Sequence, residues 1–537
     1  MKKQRILSLV LAGVLLIGAL GACAPPAQQV TPPADQGTPA PAQQTPTPTP
    51  APADVPPAEG GATGYIVIGT ENEPATISPG RHGTLAGSFI NAMTHNGLFR
   101  QHYSTLDIIP DLVESFRPID DNLWEFTLRQ GVQFHNGEYM TAYDVVASME
   151  YLRTYPYAAA FQGSVQRAEA VDRYTVTLFT GEEPNALLFV DLTNHGNFVL
   201  PRSLIEAGHD FTAYPIGTGP YVFREWRRGD SLHFEAFDNY FDTERAPIIR
   251  DVTWRIIPEG ASRTIALEMG EIHYIVEVAA PDVARMQEDP NIQVHLGMST
   301  QHNHLLLNNE LPIFADINVR RALDMAIDKQ AVVMAGMDGL ATPIWNQSPI
   351  NFAGVSFEGE NTFDPEGARA LLAEAGVEPG TLTIDIIASN DARRRMSEVI
   401  QANLGDVGIG VNITQTDFAT FFQRTTEGDY ETAIANFTSA SLLTYMFAML
   451  HRDNIGGLNR NRIDHPELSE LIDRAMVTMD EAQRNAVTME ATRVANEYVG
   501  MVPLFQALIA RAFSADLAVP ETGGAGELHI NRMYWKN

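Results

Sequence analysis

Two hydrophobic periodicities alternate along this 537-residue chain. A period of two marks strands. In LWEFTLRQ (123–130), Trp124, Phe126 and Leu128 share one face and Glu125, Thr127 and Arg129 the other. YTVTLF (174–179) and LHFEAF (232–237) repeat the pattern, and Asn136-Gly137 reads as a turn. A period of 3.6 marks helices. Thr141 and Asp144 form a capping box, after which Ala142, Val145, Val146, Met149 and Leu152 make an apolar stripe. Val319, Ala322, Leu323, Ala326 and Ile327 make another. Asp364 and Pro365 open a helix that Gly376 closes. TLTIDII (381–387), a helix through Met396, Val399, Ile400 and Leu404, and GVNITQT (410–416) then read as a βαβ unit. The fold class is α/β, and open sheets of this kind place ligands beyond the carboxyl ends of their strands.

The first 63 residues follow neither period. Lys2, Lys3 and Arg5 precede the apolar run ILSLVLAGVLLIGAL (6–20). As a helix those residues reach roughly 22 Å, short of a bilayer core of about 30 Å. That is the size of a signal-peptide core, so residues 1–22 are expected to be a signal peptide. Leu20-Gly21-Ala22-Cys23 follows, and Cys23 is the only cysteine. This segment resembles the lipobox of bacterial lipoproteins, which implies that Cys23 carries the lipid anchor. In residues 24–63, 12 of the 40 are proline and none is aromatic. Together with Cys23 they are expected to form a disordered tether, 23–63, because nothing there offsets the entropy of ordering.

Composition narrows the function. The formal charge is −30, which repels nucleic acid phosphates, and no basic patch is visible. About 515 residues remain after the signal, enough for two or three cores. With the lone cysteine assigned to lipid, no disulfide is available.

Several blocks, in order, carry a resemblance: GTENEPATISPG (69–80), LWEFTLRQGVQFHNGEYMTAYDVVASMEYLR (123–153), IGTGPYVFREWRRGDSLHFEAFDNYF (216–241), ALEMGEI (266–272), LLLNNELPIFADINVRRALDMAIDK (305–329), DPEGARALLAEAG (364–376) and NLGDVGIGVNI (403–413). Over roughly residues 64–510 the chain resembles the extracellular solute-binding proteins of ABC importers, the family of oligopeptide, dipeptide and nickel-binding proteins. The resemblance implies a periplasmic-binding-protein-like fold of type II. Two ligand-clamping α/β lobes would be joined by hinge strands near 303–309 and 500–507, with a third lobe inserted. The expected boundaries are 64–103, 213–305 and 505–537 for a discontinuous first lobe, 104–212 for the inserted lobe, and 306–504 for the last. It also implies a monomeric binder of a small polar solute, a peptide or peptide-like compound. The ABC permease and ATPase complex would be its partner. No enzyme activity and no cofactor are expected.

In peptide-binding members an aspartate shortly after a Gly-Asp-Tyr pairs with the ligand's amino group. Here Gly428-Asp429-Tyr430 is followed by Ala440 in that register, with Phe437 in the aromatic slot. Phe437, Thr438 and Ser439 are therefore candidate cleft residues, suited to stacking and hydroxyl hydrogen bonds. Trp345, in the loop 337–347, and Glu73 and Thr76, in the first block, are further candidates. His273 replaces the aspartate more usual after Gly-Glu-Ile and is read as structural.

Other chemistries leave weaker traces. His302-Asn303-His304 puts two imidazoles on one face of a strand, as a nickel or other metal site would require. No third ligand stands out, and such a pair is expected to lie half-exposed. An oligosaccharide ligand also fits the fold. Nucleophile-elbow, zinc-protease and phosphate-loop motifs are absent from the sequence, which argues against a lipoprotein enzyme. Gly217-Thr218-Gly219-Pro220 reads as a turn, not a phosphate loop.

Overall fold

The computed structural model describes residues 64–81, 85–102, 107–155, 158–159, 162–352, 355, 362–520 and 528–536. The signal segment, Cys23 and the tether lie outside them.

One eleven-stranded sheet organises the molecule. Its order is Ile409–Gln415, Leu382–Ala388, Thr432–Thr438, Ile292–Leu307, Met501–Ser514, Tyr274–Ile275, Tyr65–Thr70, Asp251–Ile256, Ser231–Ala236 and Tyr221–Arg227. Ala341–Pro343 is added alongside Met501–Ser514. Each end has a parallel part: Leu382–Ala388 runs parallel to both of its neighbours, and Tyr65–Thr70 parallel to Asp251–Ile256 and Tyr274–Ile275.

Two long strands tie these ends together. Ile292–Leu307 and Met501–Ser514 pair antiparallel from Ile292↔Ser514 to Leu306↔Met501. The ladder slips between Met298 and His302, and again between Asn303 and His304. Ser299, Thr300 and Gln301 therefore sit in a bulge, where a ladder bends most easily.

The sheet's two ends have separate cores. Ile66, Ile68, Phe234, Val252 and Trp254 form one. At the other end Leu305, Leu307, Ile384, Ile386 and Ile434 pack beneath Leu323, Ile400 and Leu404 of covering helices. Complete burial of such side chains contributes about 1.5–3 kcal/mol each. The opposite face of that end is covered through Leu306, Phe421, Ala433 and Ala435.

A four-stranded antiparallel sheet stands apart, in the order Val113–Asp120, Leu123–Leu128, Thr175–Phe179, Arg167–Ala170. Phe126, Val176 and Leu178 meet Val145 and Met149 of the helix Ala142–Arg153 there. Asp144 Oδ2 accepts the Thr141 backbone N–H at 2.8 Å, the reciprocal half of the capping box.

Gly217 and Gly219 have a packing reason. A Cβ on Gly217 would stand 2.3 Å from the Thr94 carbonyl oxygen, and one on Gly219 2.5 Å from that of Met93. They let this turn close against the C-terminal end of the helix Leu85–Thr94. Among the described residues, no helix is long and apolar enough to cross a membrane.

Candidate functional site

The carboxyl end of the strand Thr432–Thr438 meets the bulge of the crossing strands. Phe437 pairs in register with His302, and its ring lies 6.1 Å from that of Tyr445. It is half-buried, whereas Thr438 is exposed and Ser439 buried. Thr300 Oγ1, in the bulge, donates to the Ser439 carbonyl at 2.7 Å. Ser439 Oγ is buried without a hydrogen-bond partner among the described residues. Gln101 Nε2 donates to the Ala440 carbonyl at 3.1 Å. Gln101 closes the strand Phe99–Gln101, which pairs antiparallel with Ile108–Pro110 in a small sheet of its own. Residues remote in sequence thus converge on 437–440.

Gln506 holds the bulge. It is fully buried, and its Nε2 donates to the Ser299 carbonyl at 2.7 Å and to Asn351 Oδ1 at 2.9 Å. Its Oε1 accepts the Ile350 N–H at 2.7 Å. Its one amide therefore ties the crossing point to residues 350 and 351, beside the Asn351 Nδ2 bond to the Met298 carbonyl at 3.3 Å.

Trp345 precedes that segment. Lys329 Nζ lies 5.5 Å from the centre of its ring and 2.8 Å from Asp324 Oδ1. Burial lowers the Lys329 pKa, and the Asp324 charge opposes the shift. Trp345 Nε1 is buried without a hydrogen-bond partner among the described residues. Its neighbour Asn346 accepts from His302 Nε2 at 3.0 Å through its carbonyl, so this loop meets the strand that carries Phe437's partner.

The first-block candidates have their own partners. Glu73 Oε1 accepts from Trp226 Nε1 at 2.8 Å and from the Gly229 N–H at 3.2 Å. This carboxylate pins the hairpin formed by Tyr221–Arg227 and Ser231–Ala236. Thr76 Oγ1 accepts the Ser78 N–H at 3.1 Å, a local turn contact.

The histidines also need correction. His302 and His304 are completely buried, not half-exposed. Burial lowers the His302 pKa to about 4 and that of His304 well below its usual value. His273 accepts the Val67 N–H at 2.9 Å through Nδ1, between the rings of Tyr65 and Trp535. Burial lowers its pKa to about 4 as well.

Sequence reasoning missed Thr300, Gln101 and Gln506. Only Gln506 left a signal: it is the one polar residue in the run MVPLFQALIA (501–510). Together these groups can stack on, hydrogen-bond and enclose a polar molecule beside a bulged strand crossing.

Comparison with known proteins places the family and the fold. Residues 107–456 match the family described as bacterial extracellular solute-binding proteins, family 5. The chain is 28% identical over 484 residues to heme-binding protein A of Haemophilus influenzae, covering 83% of this chain and 88% of that one. It is 27% identical over 442 residues to the dipeptide-binding protein of Escherichia coli K12, covering 75% and 82%. The structure of HbpA2 from Haemophilus parasuis superposes with a TM-score of 0.81 at 23% identity, over 88% of this chain and all of that one. The fold is that of the type II periplasmic binding proteins. A family match spanning most of the chain, on a sheet whose halves are joined by two bulged strands, makes this protein a member of the bacterial extracellular solute-binding proteins, family 5.

Proposed function

We propose that this protein is a lipid-anchored receptor that captures a small polar solute, a peptide or peptide-like compound, and delivers it unchanged to an ABC importer permease and its ATPase. The observation that carries the reading is the bulge in the crossing strands, set against the carboxyl end of Thr432–Thr438. Motion at the bulge would swing the lobe 306–504 against the one assembled from 64–103, 213–305 and 505–537. Water leaves a closing cleft, and polar contacts there strengthen. A ligand favours closure only through contacts it makes better in the closed state. Phe437 then supplies a stacking face, and Thr438 and Ser439 supply hydroxyls. The names of the relatives, binders of heme and of dipeptides, support a captured solute of this size range. The lipobox at Cys23 supports anchoring, with residues 24–63 as the tether.

Extraction of the purified protein, followed by mass spectrometry, tests the proposal. A stoichiometric small solute that rebinds unchanged and raises the melting temperature is expected. At 100 times Kd it would stabilise the protein by about 2.7 kcal/mol. Chemical turnover of the solute would overturn the reading, and so would failure of any recovered compound to rebind.

A further inference from the structure

The separate four-stranded unit is tied to both ends of the main sheet, and the two ties are unequal. Towards the end built on Tyr65–Thr70, backbone hydrogen bonds hold it: the Asp111 N–H donates to the Leu98 carbonyl at 2.9 Å, the Val199 N–H to that of Asn96 at 3.1 Å, and the His135 N–H to that of Gly217 at 2.9 Å. The buried Asp111 carboxylate, paired with Arg245, strengthens this tie. Unit and sheet end therefore move together. Towards the other end the tie is thin. The Ala186 N–H donates to the Met476 carbonyl at 2.7 Å, beside a small apolar contact.

That contact has local causes. The Met476 carbonyl lies in the last turn of the helix Pro466–Val477, where carbonyls lack an N–H partner from their own helix, and Ala186 supplies one. Asn185 Oδ1 accepts the Leu187 N–H at 3.0 Å, a local turn around Ala186. Ala186, Leu443 and Ala475 are buried together, with Leu187, Met476, Met479 and Val487 packed around them. Met479 reaches further and also packs against the core of the four-stranded unit. Arg484 Nη1 donates to the Thr478 and Met479 carbonyls at 3.2 and 2.9 Å, so the bend that carries Met479 is held from its own side.

The contact adjoins the candidate site. Leu443 belongs to the helix Leu442–Leu450, whose N-cap, Ser441, directly follows Ala440. A swing at the bulge that parts the sheet's two ends also parts Ala186 from Met476. The freed N–H and carbonyl then bond to water, so their net cost is modest, while the apolar side chains become wet, which favours closure. A ligand shifts such an equilibrium only through contacts it makes better in one state, and contacts the protein makes with itself in that state reduce what the ligand must supply.

We propose that Ala186 and Leu187, seated on Leu443, Ala475, Met476 and Met479, form a latch that breaks when the strand crossing opens and that favours closure without help from the solute. The latch rests on the lobe motion proposed above. It raises solute affinity from a distance, through the share of protein already closed.

Hydrogen exchange and small-angle X-ray scattering of the full chain, with no solute added, test the latch. Leu187→Ser with Met479→Ser removes apolar grip at two half-buried positions. A larger radius of gyration is expected, with exchange at residues 185–188 about tenfold faster or more. Exchange in the strands Leu123–Leu128 and Leu382–Ala388 should stay at the wild-type rate. Should the double variant misfold, Leu187→Ala alone gives the same reading. A folded variant with unchanged scattering and exchange overturns the proposal. Acceleration spread through both units overturns it too, since the contact would then be part of the fold. These readouts need no solute, so they stand apart from the capture function. Where a solute is recovered, its affinity should fall about tenfold in the variant. Unchanged affinity in an opened variant would overturn the latch's part in capture.

Discussion

Nδ1 of His302 and Nδ1 of His304 lie 3.2 Å apart on one face of the first crossing strand. The proton between them can be assigned. His302 Nε2 meets the Asn346 carbonyl, which only accepts, so that nitrogen carries a hydrogen. Its Nδ1 is then a lone pair, and His304 Nδ1–H donates to it. His304 Nε2 is left as a buried acceptor without a partner among the described residues. Lys329 faces His302, and Arg393 and Arg460 face His304, so every neighbouring charge opposes a second proton.

Acid should therefore destabilise the fold. A histidine whose folded pKa is depressed is neutral when folded and charged when unfolded. Its contribution is complete above the unfolded value, about 6.5, and is lost as pH falls from there towards the folded value. Burial lowers His302, His135 and His273 to about 4 each. One such group shifted from about 6.5 to about 4 accounts for at most about 3 kcal/mol. Asp191, which burial raises to about 6, works in the opposite direction and returns part of the loss. Urea unfolding at a series of pH values should show stability falling between about pH 6.5 and pH 4. His304→Gln should flatten part of that slope, whereas a wild-type curve level across the interval would remove the argument.

Local elements were legible because local physics determines them. The alternation in 123–128 became a strand with Trp124, Phe126 and Leu128 inward, and Thr141 and Asp144 do cap the helix that follows. Asp364 accepts the Gly367 N–H at 2.9 Å and starts its helix as expected. The crossing strands were legible only in part. The crossing strands expected near 303–309 and 500–507 are longer than that, with 16 and 14 residues. Their sides are covered by different partners at each end, so no single period of two runs through them. The burial of His302 and His304 was hidden for the same reason, since Tyr445 and Asn346 cover His302 from far along the chain. The Glu73 bond was illegible because its partner, Trp226, is 153 residues away.

Glu73→Ala should act on stability. It strips the acceptor from Trp226 Nε1 and the Gly229 N–H, both only partly shielded from water. A loss of about 1–2 kcal/mol is expected, read from urea midpoints, with solute affinity unchanged. A drop in affinity without a drop in stability would return Glu73 to the cleft.

Gln506→Ala removes the amide that holds the bulge. The Ile350 N–H loses its acceptor, and the Ser299 carbonyl its donor. Asn351 Oδ1 loses its donor too, and a cost of about 2–4 kcal/mol is expected for the three groups together. Hydrogen exchange should accelerate at residues 299–301 beyond the global change. Exchange that rises uniformly across the chain would mean that Gln506 does not act on the crossing point in particular.

Phe437→Ala should separate packing from binding. The half-buried ring rests near Tyr445, so a stability loss of about 1–3 kcal/mol is expected from lost contact alone. If the ring also stacks on the solute, affinity for the recovered compound falls by at least about tenfold, and Phe437→Tyr restores most of it. Unchanged affinity in a folded Phe437→Ala protein would assign the ring to packing.

Ala440→Asp is the strongest probe of ligand class. Position 440 is exposed at the end of the strand that carries Phe437, and its backbone carbonyl is fixed by Gln101. No carboxylate occurs between Asn436 and Ser441, so a ligand ammonium group finds no counter-charge there. Leaving an ammonium unpaired in a closing cleft costs several kcal/mol, enough to erase micromolar affinity. Wild-type protein should accordingly show no thermal shift with L-alanyl-L-phenylalanine, while Ala440→Asp should gain one that fades as pH rises through the dipeptide's amine pKa. The fold should tolerate the change, because the new carboxylate points from an exposed position. Micromolar binding of that dipeptide by the wild type would show that another group pairs with the amine. The substitution at 440 would then say nothing about which solute the protein carries.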